Sequence, residues 1–561
     1  MASPPRFDVQ TTMQEALALH RHGRLREAEK LYARVLKAAP EHFDALHLLG
    51  LTKAQSGQMG EAYRLMSAAL KLNPQAADAW LNIANVLHAL KRDADALDCL
   101  DKALALRPGD MNALESRGNA LFALGRSQEA IVCFEAVLAR DPRHADALLN
   151  RGIARASLAR AGDALADFDA ALAMVPNHPG ALYNRGTALL DLGRYEEALA
   201  AFDRVLSLAP THARAWNNRG RALQALNRHS EAIASFDKAI ASQKDDAAAH
   251  FNRALSLLTI GDLARGFAEY EWRWKRPGMR DTRRGYGKPH WLGEYPIARK
   301  TILLHAEQGL GDTIQFARYV PLVARGGTRV ILEVPPELKT LLSTLEGAAL
   351  CCARGETLPA YDIHCPLGSL PLALKTEPAT IPANIPYLRA DEACIAKWRP
   401  RIAALPGKRI ALAWAGNVAH PNDRNRSIDF KLLEPLLSLD GVSFVSIQRD
   451  LREDDAKILA QHANVTHVGG ELSDMNDTAA IAALADLTLS VDTAVAHLAG
   501  AIGRPIWVML AFAPDWRWTT VGESSPWYPR ARLFRQPTLG DWPSVVAVLR
   551  AELARFIAVR H

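Results

Sequence analysis

The sequence predicts two architectures in one chain: an all-helical repeat array, followed by an α/β region of two doubly wound halves. Three observations carry this prediction. The first part repeats itself every 34 residues, with small residues, turn residues and prolines at fixed places. Beyond Lys300, apolar runs of strand length alternate with helical stretches. Within that second part, Asp486 to Leu510 (DLTLSVDTAVAHLAGAIGRPIWVML) compresses strand, turn, helix and strand into one βαβ unit of a parallel sheet.

The bulk composition bounds the classes. At 561 residues the chain exceeds one core and predicts two to four domains. A hydrophobic content of 49% with 23% charged residues fits a soluble globular protein, and a net charge of +6 is too small for this length to argue for nucleic acid. The opening MASPPRFDVQ lacks a signal-peptide pattern and no run approaches 18 apolar residues, so a cytoplasmic protein without a transmembrane segment is expected. Six cysteines without CxxC spacing read as reduced structural thiols, and no His/Cys cluster suggests a metal.

Ala45, Ala79, Ala113, Ala147, Ala181, Ala215 and Ala249 begin equivalent blocks, and Thr11 begins a weaker first one. Twelve residues on stands Gly23, Gly57, Lys91, Gly125, Ala159, Gly193, Asn227 or Gly261, and seventeen on stands Ala28, Ala62, Ala96, Ala130, Ala164, Ala198 or Ala232. Prolines 40, 74, 108, 142, 176 and 210 close the blocks. This is helix, tight turn, helix, stop: small residues where helices cross, and Pro where the second helix must end. The period, with Trp80, Tyr183, Gly186, Phe202 and Trp216, resembles the tetratricopeptide repeat. Eight units span residues 11–278, and the last is altered, with Gly266 in a small-residue slot and Pro277 one place early.

Asn82, Asn150, Asn184, Asn218 and Asn252 recur at the fourth place of the first helix, with Leu48 and Ser116 interrupting. The resemblance implies that this position lines a concave face. In protein O-linked N-acetylglucosamine transferases such a ladder grips a peptide backbone, which an amide can do because it donates and accepts. The alternative is repeat consensus with no ligand.

Residues 279–300 form a connector, in a stretch from Tyr270 dense in Trp, Arg, Gly and Pro. Aromatic and basic residues interleave as a nucleic-acid reader would want. The favoured reading wedges Trp272, Trp274 and Trp291 between repeats and the next domain, with the arginines solvated or ion-paired.

The first α/β half (301–400) reads as strand Thr301 to His305, the turn AEQGLGD, a helix from about Thr313 to Arg325, strand Arg329 to Val334, helix PPELKTLLSTL, and strand and loop YDIHCPLGSL. A helix around Trp398 leads to the second half (401–561). Its strands are Arg409 to Trp414, Val442 to Gln448, Val465 to Val468, Leu487 to Val491 and Ile506 to Leu510, with a last helix from Trp542 to Val559. Asp492 and Thr493 are a capping pair for a helix from Ala494 to Ile502, and His497 lies one turn on. Free N–H groups there favour an anion; the bland reading is a capped core helix with a packed histidine.

HAEQGLGDTIQFARY, WAGNVAHPNDRNRS, SVDTAVAHLAG and DWRWTTVGESSPWYPRARLFRQ look like the glycosyltransferase domain attached to bacterial tetratricopeptide proteins. That domain is similar to the heptosyltransferase-type family, which implies the GT-B fold of two Rossmann-like halves, the nucleotide-sugar donor lying mainly on the C-terminal one. The resemblance covers about residues 270–545. It places a donor-contacting motif on Asp492, Thr493 and His497, aligns Asp312 with the family's catalytic base, and implies inversion at the anomeric carbon. Coupling such a domain to repeats resembles the protein O-GlcNAc transferases in architecture alone.

Sugar transfer needs a stabilised leaving diphosphate, a base for the acceptor hydroxyl, and in-line positioning. Arg424 and Arg426 can fork onto phosphate oxygens and Ser427 can donate to one; their bland reading is a solvated loop. Asp312 follows Gly309 and Gly311, which let the main chain pass close to a ligand. Its bland reading is the N-cap of a helix from Thr313. Gln308 and Gln315 are candidates to touch acceptor or donor, Gln448 to read base or ribose, and Glu307 and His305 are alternative bases. Trp516 or Trp518 either wall the donor pocket or seal a domain contact. Asp454 and Asp455 sit in a charge run, Leu451 to Lys457, that reads as a solvated face. No metal and no other cofactor is expected.

The expected function is a metal-independent glycosyltransferase whose repeats recruit a polypeptide or glycan acceptor. The alternatives are an interaction scaffold with an inactive transferase-like domain, and a GT-B epimerase acting on the sugar nucleotide. No nucleic-acid partner is expected.

Overall fold

The computed structural model describes residues 8–279, 285–420 and 422–559. The start of MASPPRFDVQ, part of the connector, and Pro421 of the WAGNVAHPNDRNRS segment lie outside them. The chain divides into two compact units, Met1–Pro210 and Thr211–His561.

Among the described residues, the first unit is a run of twelve helices in hairpins, from Val9–Arg21 to Tyr195–Leu208. The period is built by backbone conformation and by one close contact. At the turn inside each hairpin one residue is left-handed: Gly23, Gly57, Gly125 and Gly193 take φ of 74° to 78°, and Lys91 and Ala159 take 62° and 58°. Glycine adopts this freely, which is why it dominates the series. Inside the hairpins, a Cβ on Gly118, Gly152 or Gly186 would sit 2.6, 2.6 or 2.7 Å from Cε1 of Phe134, Phe168 or Phe202. Each glycine is the seat of a buried phenylalanine sixteen residues on. A second ladder is ionic: Arg117 pairs with Asp101 at 2.8 Å, Arg151 with the buried Asp167 at 2.6 Å, and Arg185 with Asp169 at 2.6 Å.

The second unit opens with the last two hairpins (Ala213–Ala225, His229–Ser242, Ala247–Thr259, Leu263–Tyr270) and a 3-10 turn, Glu271–Lys275. The same devices recur: Gly220 seats Phe236, and Arg253 pairs with Asp237 and Glu269. Asn227 (φ 57°) takes the turn position, and its side-chain amide donates to the Phe512 carbonyl of the α/β region. Trp272 stacks on His250 at 3.7 Å, and Trp291 is buried in the shared core. Arg273 is buried, its Nη2 donating to Glu307 (3.1 Å) and Ser369 (2.6 Å), so of the connector's two expectations for arginine the ion pair holds here.

Strands β1 (Thr301–His305), β2 (Arg329–Val334), β3 (Ala348–Ala353) and β4 (Ile363–Pro366) form a parallel sheet in the order β3-β2-β1-β4. Strands β5 (Lys408–Ala413), β6 (Val442–Ser446), β7 (Val465–His467), β8 (Leu487–Val491), β9 (Ile506–Leu510) and β10 (Ala531–Arg535) form a second, in the order β10-β9-β8-β5-β6-β7. Each order reverses beside its first strand, between β1 and β4 and between β5 and β8, and such reversals open a crevice at the carboxyl edge.

One core joins the last hairpin to both sheets, including Phe267, Tyr270, Trp291, Ile302, Phe316, Ala496, Trp516, Trp518, Trp527 and Tyr528. A separate core packs the Trp542–Ala558 helix on the second sheet through Leu549, Leu553, Phe444 and Trp414.

Four sequence expectations are corrected. The helix after β1 starts at Leu310, not Thr313: Gly309 is its N-cap and Asp312 its third residue, the carboxylate accepting the Gly309 N–H at 3.2 Å. It stops at Ala317, and Val320–Ala324 is a separate helix, because Pro321 cannot donate into a continuous one. Strands β3 and β10 extend the sheets by one strand each. The AALCCA of β3 gives little apolar contrast, and arginines flank the apolar residues of β10 in ARLFR. In the charge run Leu451 to Lys457, Asp454 is exposed but Asp455 is buried, accepting the Trp414 indole N–H at 3.0 Å.

Candidate active site at the carboxyl edges of the two sheets

The loops leaving β5 and β8 flank the reversal of the second sheet. Arg426, on the turn Asp423–Arg426 after β5, donates to the Asp492 carbonyl after β8 at 3.1 Å and so ties the two loops together. Its guanidinium lies over Gly416, where a Cβ would be 2.4 Å from Nη2, and its buried Nε has no hydrogen-bond partner among the described residues. Ser427 accepts the Gly416 N–H (3.0 Å) and donates to Asp423 (2.8 Å), fixing that turn. Arg424 stands exposed. Gln448 is buried, and its amide oxygen accepts the Trp414 and Ala415 N–H groups, so it holds the exit of β5.

Thr493 is the N-cap of the helix Ala494–Ala501, with an extended backbone; its hydroxyl turns to Ser490 (3.1 Å) and makes no cap bond. The expected capping pair is therefore corrected: Thr493 holds the N-cap position, but neither its side chain nor that of Asp492 caps the helix. Asp492 instead accepts the Trp518 indole N–H at 2.7 Å. Burial and the Asp515 charge push the Asp492 carboxyl above its ordinary range, against the pull of Trp518, Arg517 and Arg426. His497 is buried, with Nδ1 3.0 Å from the Tyr528 hydroxyl and Nε2 3.9 Å from Asp492. Burial, helped by Arg517, Arg318 and Arg426, holds its pKa well below the ordinary value, so the ring is neutral at pH 7.

The first sheet meets this cluster through the helix Leu310–Ala317. A Cβ on Gly311 would lie 2.8 Å from His497 and 3.5 Å from the Ala494 Cα, so glycine lets the two helices approach. Asp312, one residue on, ion-pairs with Arg517, which also holds Asp515 at 2.8 Å and donates to the Gln315 amide oxygen. Gln315 is fully buried, and its Nε2 has no hydrogen-bond partner among the described residues. Asp312, Arg426, Asp492, Thr493 and His497 thus belong to one neighbourhood.

Other candidates are placed differently. Gln308 accepts from the Tyr270 hydroxyl at 2.8 Å. Glu307 is bound by Arg273 and the Gly368 N–H, and burial raises its pKa. His305 is buried 3.2 Å from His364. Trp516 packs on Phe267, Phe316 and Trp527, whereas Trp518 stacks against both His497 and Tyr528 and bonds Asp492.

Three of the five asparagines brace one repeat on the one before: Asn82 meets His47 at 3.0 Å and Asn150 donates to Glu115 at 3.4 Å in the first unit, and Asn252 donates to Asn217 at 3.0 Å in the second. Asn184 is half-buried, and Asn218 is buried with its amide oxygen near Arg221. Among the described residues no three His, Cys, Asp or Glu side chains gather as a metal site, and no helix is long and apolar enough to cross a membrane.

The sequence reading missed Arg517 and Asp515. Both stand in DWRWTT, where an arginine between two tryptophans is the signal that the sequence carries.

Residues 116–179, 151–213, 183–245 and 217–277 match the tetratricopeptide repeat family, and residues 21–103 match the family of anaphase-promoting complex, cyclosome, subunit 3. The N-terminal helical hairpins are tetratricopeptide repeats. Over 328 residues the chain is 28% identical to protein FlbA of Caulobacter vibrioides, covering 54% of each; it spans about half the length of the curated relative it matches. Among solved structures it is similar to a tetratricopeptide repeat protein from Parabacteroides merdae (19% identity, 43% of this chain and 94% of that one, TM-score 0.37). It is also similar to YrrB, a TPR protein with an unusual peptide-binding site (28% identity, 33% of this chain and 95% of that one, TM-score 0.29).

Proposed function

We propose that the chain is a glycosyltransferase of GT-B type that moves a sugar from a nucleotide-sugar donor to a hydroxyl of a polypeptide or glycan acceptor recruited by its repeats. One observation carries this reading: Asp312, from the first sheet, lies in the same cluster as Arg426, Asp492, Thr493 and His497, from the reversal point of the second. In the proposed reaction the acceptor oxygen attacks the anomeric carbon and Asp312 takes its proton. The bond from that carbon to the phosphate oxygen breaks, and the diphosphate leaves with the electron pair. Arg424, Arg426 and the N–H groups opening the Ala494–Ala501 helix neutralise it. Inversion follows from the resemblance to heptosyltransferases. The reaction needs no metal, because guanidinium and helix charge take that part.

A second reading is a protein-binding scaffold with an inactive domain. It is favoured by the two oxygens of Asp312 being engaged, one by Arg517 and the other by the Gly309 N–H, as a structural cap would be.

A donor screen separates the two. The chain is incubated with a lysate and a panel of UDP-, GDP- and ADP-sugars, and lysate proteins are read by mass spectrometry. A sugar mass increment that Asp312→Ala abolishes supports transfer. No increment with any donor, and no thermal shift with UDP, GDP or ADP, supports the scaffold.

A further inference from the structure

Arg517 is a buried cation held by two carboxylates. Its side chain is only 8% exposed, against 25% for Asp312 and 33% for Asp515, so its charge is reached from solvent past the two carboxylates that hold it. Its planar group packs over Trp516, 4.4 Å from the ring centroid, which leaves the donor edge facing the cluster. Its Nε is bonded to Gln315, whose own Nε2 is buried without a partner among the described residues. The surroundings are charge-rich: Asp312, Asp492 and Asp515 face Arg517 and Arg426, with His497 neutral beside them.

A diphosphate entering such a cluster meets three carboxylates. At Arg517 it can bind only by displacing one of them, since a dianion competes for the same planar fork that a carboxylate occupies. Asp312 is the one to leave. It is held by Arg517 from the opposite sheet, whereas Asp515 is tied to the same short turn as Arg517 and accepts its main-chain N–H at 3.0 Å.

We infer that Arg517 is a diphosphate-binding residue that Asp312 occupies in the empty site, so that donor binding releases Asp312 to act as the base. The inference rests on the transferase reading for the role of Asp312, but the exchange of carboxylate for phosphate on Arg517 stands apart from it. No bond is made or broken in this step; one ion pair replaces another. The released carboxylate then lies beside added negative charge, which raises its affinity for a proton, as a base requires. Donor binds before acceptor as a consequence.

The test is titration calorimetry of the full chain with inorganic pyrophosphate. Asp312→Asn removes the competing charge and is expected to tighten pyrophosphate by about tenfold, although it abolishes any transfer. Arg517→Met is expected to weaken pyrophosphate at least about tenfold, and the double variant to show none of the gain from Asp312→Asn. Should Arg517→Met fail to fold, Arg517→Lys serves: it keeps the charge, loses the fork, and is expected to weaken binding while retaining the native melting curve. Asp312→Asn binding no more tightly than wild type, or Arg517→Lys binding equally well, overturns the inference. Tightening in Asp312→Asn without any sugar transfer by wild type would sink the transferase reading alone, and transfer without tightening would sink this inference alone.

Discussion

Asp477 shows how much a single buried group can hold. It accepts from the Trp398 indole (2.6 Å), Lys397 (2.8 Å), the Cys394 thiol (3.1 Å) and the Ser473 N–H (2.8 Å), joining the helices Glu392–Ala403 and Met475–Leu484. Burial works to raise its pKa, but the bonds from Lys397, Trp398, Cys394 and Ser473 outweigh it and hold the carboxyl below the ordinary range. A depressed native pKa means stability that is complete above the unfolded value, about pH 4, and is lost progressively as the pH falls from there toward the native pKa. Asp477→Ala is expected to cost about 1–3 kcal/mol at pH 7, because it strands the buried Trp398 indole N–H. In urea denaturation from pH 6 down to pH 2.5, wild type should lose more stability than the variant, and parallel curves would contradict this. At this scale the sequence was partly legible. Residues clustered in one segment, such as Asp492, Thr493 and His497, could be read together from their spacing. Arg517 could not, because its partner Asp312 stands 205 residues away and only the fold unites them. Asn227 was visible as a departure from glycine, and its bond to Phe512 gives the departure a physical reason.

At the scale of elements, the repeat period was legible because each unit repeats the same local solution. The glycine–phenylalanine seat makes this testable. Gly186→Ala places a methyl 2.7 Å from the Phe202 ring and is expected to cost about 1–3 kcal/mol in chemical denaturation. Gly162→Ala, at an exposed position in the first turn of the helix Ala161–Met174 with nothing within 4 Å, should instead gain up to about 0.5–1 kcal/mol. Equal effects at the two sites would show that the seat does not govern the packing. Strands β1, β8 and β9 were legible as apolar runs, and β8 and β9 fall on the residues expected. The helix after β1 was misread at its start. Gly309 caps it through backbone geometry alone, and Asp312, the residue with the cap-forming side chain, sits inside the first turn.

At the scale of the molecule, two sheets whose orders reverse beside their first strands, and a last repeat sharing their core, make the second unit more than a solenoid with an appendage. Neither order could be read from the sequence, since strand adjacency depends on packing between segments far apart in the chain. The alternation of strand and helix did point to parallel sheets. On the proposed function, the carboxyl edges of the two sheets act as one nucleotide-binding site. Hydrogen exchange of the full chain, with and without UDP, GDP or ADP, tests it most directly. One of these nucleotides should slow exchange together in Gly309–Ala317, from the first sheet, and in Thr493–Ala501, from the second. Protection confined to one of the two segments, or absent with all three nucleotides, would contradict it.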